Sequence, residues 1–156
     1  MSKSYLDAGE DVTDDEVTRV GINGFGRIGR SLFRAVLENP TIELAGINDV
    51  MDPDDMRYLA KHDTIQGRLD GLELSDGALS IGGTSTDLYD VKSPSELPWG
   101  ERDVDVALEC TGIFRTKDEA SAHLDAGADK SLISAPPKGE KPVKQIVYGV
   151  NHDDYE

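Results

Sequence analysis

The sequence has a single cysteine, Cys110, among 156 residues. It therefore forms no internal disulfide and no multi-cysteine metal site, which fits a reducing compartment. No stretch approaches the roughly 18 consecutive apolar residues of a membrane span, and Met1 to Asp7 lack the apolar core of a secretion signal. A cytoplasmic protein with no membrane partner is expected. Cations are scarce: 16 Lys and Arg face 31 Asp and Glu, a formal net charge of −15. Nucleic-acid backbones are held by clustered Lys and Arg, so this balance argues against nucleic acid as the main partner. The acids are spread along the chain, as in a fold kept soluble in high salt where their repulsion is screened, and a halophilic origin is expected. His62, His123 and His152 are scattered without metal-ligand spacing; they read as solvated or packing side chains, and no metal site is expected.

What is present suffices for one folded domain, since 37% of the residues are apolar. Residues 1–17 hold Asp7, Glu10, Asp11, Asp14, Asp15 and Glu16 with almost nothing apolar, which predicts a disordered acidic leader before a domain over 18–156. Val20 and Ile22 lead into Gly24-Phe25-Gly26, after which Ile28, Leu32, Phe33, Val36 and Leu37 recur at helical spacing. Asn39-Pro40 ends that helix and Ile42 to Ile47 reads as a second buried strand, giving a βαβ unit. A helix is predicted over 53–61. Residues 71–91 alternate around Asp76-Gly77 and Gly82-Gly83, the mark of a small antiparallel excursion. Asp105 to Glu109 reads as a strand, and Thr116 with Glu119 forms a capping box for a helix to about Ala126, closed by Gly127. Ser131 to Ser134 and Gln145 to Val150 are read as two more short strands. This alternation implies an α/β fold, a doubly wound, mostly parallel sheet of Rossmann type covered on both faces. Such sheets bind ligands at the carboxyl ends of their strands, here Asn23, Asp49, Cys110-Thr111-Gly112 and Ser134.

Gly24-Phe25-Gly26-Arg27-Ile28-Gly29 matches G-x-G-x-x-G between a predicted strand and a predicted helix. Gly24 permits the tight turn, Gly26 lets the backbone approach a pyrophosphate, and Gly29 lets helix and strand pack closely, while the helix N-terminus offers free N–H groups. The competing reading is a glycine-rich turn without a ligand. Asp49 ends the second strand about twenty residues beyond Gly29, where a carboxylate accepts from ribose hydroxyls and repels a 2′-phosphate. Val50 and Met51 supply no cation beside it, so NAD is favoured over NADP; the alternative reading has Asp49 cap the next helix. Cys110 closes an apolar strand with no neighbouring histidine in sequence, and reads as an inert packing thiol rather than a nucleophile.

Several segments in order across residues 18–156 resemble phosphorylating, NAD-dependent glyceraldehyde-3-phosphate dehydrogenase. They are Val20 to Arg30, Ile47-Asn48-Asp49, Lys61-His62-Asp63-Thr64 with Gly67-Arg68, and Leu97-Pro98-Trp99; then Glu109 to Gly112, His123-Leu124 with Ala126-Gly127-Ala128, Ile133 to Pro136, and Tyr148 to His152. The resemblance implies that Gly24 through Gly29 cradle the dinucleotide phosphates, with Arg27 and Ile28 at the cofactor, and that Asp49 takes the ribose. It also implies that Thr111, Gly112 and Ser134 line the nicotinamide end. Many members have an arginine where this chain has Lys92, whose charge lacks the planar fork. The family's nucleophilic cysteine lies in a Ser-Cys-Thr-Thr-Asn segment shortly after the Tyr-Gly-Val-Asn-His region, and Glu156 precedes it. No catalytic residue is therefore assigned. The chain is read as the N-terminal, NAD-binding part of such an enzyme, a fragment inactive alone. The resemblance further implies glyceraldehyde 3-phosphate and phosphate as substrates of the full enzyme, a glycolytic role and a homotetramer. Competing readings are an erythrose-4-phosphate dehydrogenase and a non-catalytic dinucleotide-binding module.

Overall fold

A computed structural model describes residues 17–155; apart from Val17, the expected acidic leader lies outside the described residues. In chain order the elements are β1 (Thr18–Asn23), α1 (Arg27–Leu37), β2 (Ile42–Asn48), α2 (Pro53–Lys61), β3 (His62–Asp63), β4 (Gly67–Arg68), β5 (Glu73–Ser75), β6 (Ala78–Ile81), β7 (Thr84–Tyr89), β8 (Val106–Glu109), α3 (Lys117–Asp125) and β9 (Lys130–Ile133). Seven strands form one sheet in the order β5-β6-β7-β2-β1-β8-β9. The neighbours from β7 to β9 are parallel, and β5, β6 and β7 are antiparallel. The excursion expected over 71–91 is therefore an extension of the main sheet, because β7 returns alongside β2. His62–Asp63 and Gly67–Arg68 also pair as a two-stranded hairpin, which the apolar pattern does not announce.

The sheet sorts its side chains onto two faces. Val20, Ile22, Leu44, Ile47 and Leu108 point to one core with Phe33 and Val36 of α1 and Met56 and Ala60 of α2. The opposite core gathers Ala45, Ala107, Trp99, Leu97, Val104 and Ala128. Small residues on this second face make room for the indole. A Cβ at Gly21 would lie 2.9 Å from Trp99, and one at Gly46 would lie 2.6 Å from Tyr89. The register shift between Val20 and Gly21 brings Gly21 opposite Gly46.

Local signals set the helix ends. Asp52 accepts from the Asp54 N–H at 2.9 Å and Pro53 opens α2. Thr116 and Glu119 form the expected capping box on α3. Beyond α3, Gly127 takes φ +102°, and a Cβ there would lie 2.5 Å from Gly100. Arg34, buried on α1, donates to the Ala60 and Gly67 carbonyls, both at 2.8 Å, and so ties the end of α2 and the hairpin to the first helix.

The strand expected at Gln145 to Val150 is not formed; the segment has no ladder partner and Val147, Tyr148 and Val150 are exposed. Asn151 supplies the physical reason. Its side chain accepts from Val147 N–H at 2.7 Å and donates to Gln145 C=O at 2.9 Å, occupying backbone groups a ladder with β9 would need.

Candidate dinucleotide site

The chain runs from β1 through α1 to β2 on one side of β1, and later returns to β8 on the other side. The crevice between β1 and β8 is thus the switch point of the sheet, and the glycine turn sits at its mouth. Gly24 has φ +99°, and a Cβ there would lie 2.6 Å from the Thr111 nitrogen, so this turn and the chain after β8 touch through backbone. A Cβ at Gly29 would come within 2.0 Å of the Gly24 carbonyl oxygen, which makes glycine obligatory where α1 packs on the turn. Gly26 differs from both: its φ is −70°, and a Cβ there would meet nothing within 4 Å. Neither strain nor protein packing explains glycine at that position. The position opens onto free space.

Gly26 caps α1 without a side-chain hydrogen bond, and no acidic residue lies in the first turn, so the positive end of the helix is left to act on the crevice. Arg27 and Ile28 are exposed in that turn. Asp49, just past β2, accepts from the Phe25 N–H at 2.5 Å and from the Met51 N–H at 2.9 Å. It does not cap α2, a role taken by Asp52. An ionised carboxylate has about four acceptor positions, so Asp49 braces the glycine turn and retains capacity for ribose hydroxyls.

Beneath the rim lies a buried polar chain that the apolar pattern hides. Glu109, 1% exposed, accepts from Asn23 Nδ2 at 2.6 Å and pairs with His123 Nε2 at 2.9 Å through one oxygen. Its other oxygen accepts from the Thr111 N–H at 2.8 Å and from the Thr111 hydroxyl. The Trp99 indole N–H donates to His123 Nδ1 at 3.0 Å; an indole only donates, so His123 accepts at Nδ1 and donates from Nε2 to the carboxylate. Burial pushes Glu109 up, and the hydrogen bonds from His123, Thr111 and Asn23 outweigh it and hold the carboxyl below its ordinary range. Asn23 in turn accepts from Asn48, whose side chain accepts from Val91 N–H at 2.8 Å and donates to Val91 C=O at 2.9 Å. The sequence marks these residues only as polar groups closing apolar strands, a pattern that also fits simple strand ends.

Of the residues named from sequence for a cofactor, Gly24, Asp49, Thr111, Gly112 and Ser134 follow the ends of β1, β2, β8 and β9, and Gly26, Arg27, Ile28 and Gly29 cap or open α1. Lys92 is exposed and follows the pinned Val91 beyond β7. Thr111 is half-buried, and Gly112, at φ +70°, is exposed after β8. Ser134 is exposed after β9, its N–H donating to the Glu109 carbonyl at 3.0 Å. Cys110 lies half-buried between them; burial pushes its thiol up to about 11, against the opposing pull of a Ser134 hydrogen bond. His123 packs in the core, whereas His62 and His152 are exposed, and no cluster among the described residues is arranged to hold a metal. A separate cavity of about 910 Å³ between α3, β9 and the chain from Pro142 to Val147 shares only Ser134 with the rim residues named from sequence.

The sequence model of the glyceraldehyde 3-phosphate dehydrogenase NAD-binding domain matches residues 18–117. The chain is 57% identical over 143 residues to glyceraldehyde-3-phosphate dehydrogenase of Haloarcula vallismortis, a match covering 90% of this chain and 43% of that protein. It is 47% identical over 136 residues to glyceraldehyde-3-phosphate dehydrogenase 1 of a Nostoc strain, covering 86% and 40%. To the cytosolic glyceraldehyde-3-phosphate dehydrogenase of Trypanosoma brucei brucei it is 46% identical over 140 residues, covering 89% and 42%. The chain therefore spans about two fifths of the length of these relatives. The fold is a mostly parallel sheet with its glycine turn at the switch point, and the chain belongs to the glyceraldehyde-3-phosphate dehydrogenase family, of which it carries the NAD-binding domain.

Proposed function

We propose that the rim holds NAD with its pyrophosphate over Gly24, Gly26, Arg27, Ile28 and Gly29, its adenosine ribose at Asp49, and its nicotinamide end toward Thr111, Gly112 and Ser134. Lys92 adds a cation beside the β2 side of the crevice. The observation that carries this reading is the open space over Gly26, between two glycines whose Cβ atoms the fold forbids. Bound NAD supplies a hydride acceptor. The residues of this chain bind and orient it: free helix N–H groups meet phosphate charge, and the Asp49 carboxylate accepts from ribose hydroxyls and repels a 2′-phosphate.

In the whole protein, the proposed reaction is the oxidation of glyceraldehyde 3-phosphate with inorganic phosphate to an acyl phosphate, in glycolysis, by a cytoplasmic homotetramer. Cys110 is not its nucleophile, because a thiol pushed up to about 11 holds little thiolate at neutral pH. Isothermal calorimetry tests the cofactor assignment. Tighter binding of NAD than NADP is expected, with the preference narrowed by Asp49→Ala; equal or tighter binding of NADP would remove Asp49 from the ribose.

A further inference from the structure

Four hydrogen-bond donors converge on the one carboxylate of Glu109: Asn23 Nδ2, His123 Nε2, and the N–H and hydroxyl of Thr111. An ionised carboxylate is acceptor-only and has room for that set, whereas a glutamine would turn an amide N–H₂ against donors on one side. His123 cannot relieve the conflict by exchanging its ring proton, because the Trp99 indole N–H already occupies Nδ1. The Thr111 hydroxyl spends its hydrogen on Glu109 and accepts the Ile113 N–H at 3.0 Å, so the carboxylate dictates the path of Thr111-Gly112-Ile113. That turn lies on the β8 side of the crevice, against Gly24, and Asp49 lies on the β2 side. A dinucleotide with its adenosine ribose at Asp49 and its pyrophosphate over the glycine turn must carry its other half across β8.

We propose that Glu109 is a positioning residue for the nicotinamide half of the dinucleotide, acting through Thr111 and held in place by the His123–Trp99 pair. This inference rests on the dinucleotide reading of the rim. Its consequence is selective at Thr111: losing that hydroxyl disturbs the β8 turn, whereas Asp49 is held by the Phe25 and Met51 N–H groups and takes no hydrogen bond from the Glu109 chain. AMP, which carries only the adenosine half, therefore serves as the internal control.

Calorimetry with NAD and with AMP, on the full chain and on its Glu109→Gln, Thr111→Val and Thr111→Ser variants, tests this. Glu109→Gln and Thr111→Val are expected to weaken NAD about tenfold, the scale of one lost hydrogen bond, and to change AMP by less than about twofold. Thr111→Ser, which keeps the hydroxyl, retains NAD affinity. If Glu109→Gln fails to fold, the Thr111 pair decides. Equal losses for NAD and AMP, as a purely structural role would give, or no loss for NAD, would overturn the inference. An unsubstituted chain that binds neither nucleotide would overturn the dinucleotide reading itself, and this inference with it.

Discussion

Glycine carries three different physical demands within six residues, and substitution separates them. At Gly29 a methyl group would sit 2.0 Å from a backbone oxygen, so Gly29→Ala must push α1 off the turn. Overpacking of this kind costs about 1–3 kcal/mol, and a lowered melting temperature is expected. At Gly26 the same methyl group meets no protein atom. Gly26→Ala is therefore expected to melt like the parent chain and yet bind NAD about tenfold more weakly, as when one backbone contact to a ligand is blocked. Unchanged NAD affinity in a folded Gly26→Ala chain would mean that the open space serves no ligand. Cys110 permits a second test at this scale. An ordinary thiol titrates near about 8.5, whereas Cys110 is pushed to about 11 by burial. Alkylation of the folded chain by iodoacetamide should stay slow through pH 8.5 and accelerate only toward pH 11, with the unfolded chain reacting at the ordinary thiol value. A folded-state midpoint at or below pH 8.5 would make Cys110 an accessible, reactive thiol.

Elements were legible in the sequence where the signal was local. The βαβ unit, α2, and α3 with its Thr116–Glu119 box all follow from period, proline and capping chemistry read in place. The same box can be tested. Thr116→Ala removes the acceptor for the Glu119 N–H and should cost about 1 kcal/mol, whereas Thr116→Ser should cost little. Hydrogen bonds from Thr116, backbone first, hold the Glu119 carboxyl below its ordinary value. A depressed folded value adds stability above the ordinary glutamate range and loses it as pH falls through the folded value. The gap in melting temperature between the parent and Thr116→Ala should narrow in acid; a gap independent of pH would mean that the Thr116 hydroxyl does not donate to Glu119. What the sequence hid rests on single polar side chains that no period announces, at short range as well as long. The β3–β4 hairpin depends on Arg34 reaching from α1 to the Gly67 carbonyl, and the missing strand after β9 depends on Asn151 binding back to Gln145 and Val147. The glycine turn and Asp49 could be read from spacing alone, but Glu109 and His123 could not. They lie fourteen positions apart in sequence, and only the packing of α3 against β9, the neighbour of β8, makes them partners.

For the whole molecule the decisive quantity is charge. The chain as a whole carries 31 acidic against 16 basic side chains, and the acids stay in excess when the leader is set aside, so self-repulsion acts against the folded state. Ion pairs offset little of it, since Arg19–Glu43, Arg57–Asp54, Arg68–Asp70 and Lys141–Asp118 all involve solvent-exposed or half-exposed groups, where such pairs contribute on the order of 0–1 kcal/mol. Salt acts on both terms, in opposite directions. Raising it from 0.1 M to 1 M shortens the Debye length from about 10 Å to about 3 Å, which weakens the exposed pairs and also the repulsion among dispersed carboxylates. The excess of acidic over basic side chains makes the second effect the larger. The melting temperature should therefore rise between 0.1 M and 1 M potassium chloride. Chloride is preferable to sulfate for this test, since sulfate also strengthens apolar burial by exclusion and would raise the melting temperature of an uncharged fold as well. A melting temperature that stays level or falls would show that the acidic surface is not a halophilic adaptation. Replacing a few exposed Asp and Glu away from the crevice by Asn and Gln should then shrink the salt response in proportion to the charge removed, with NAD binding retained.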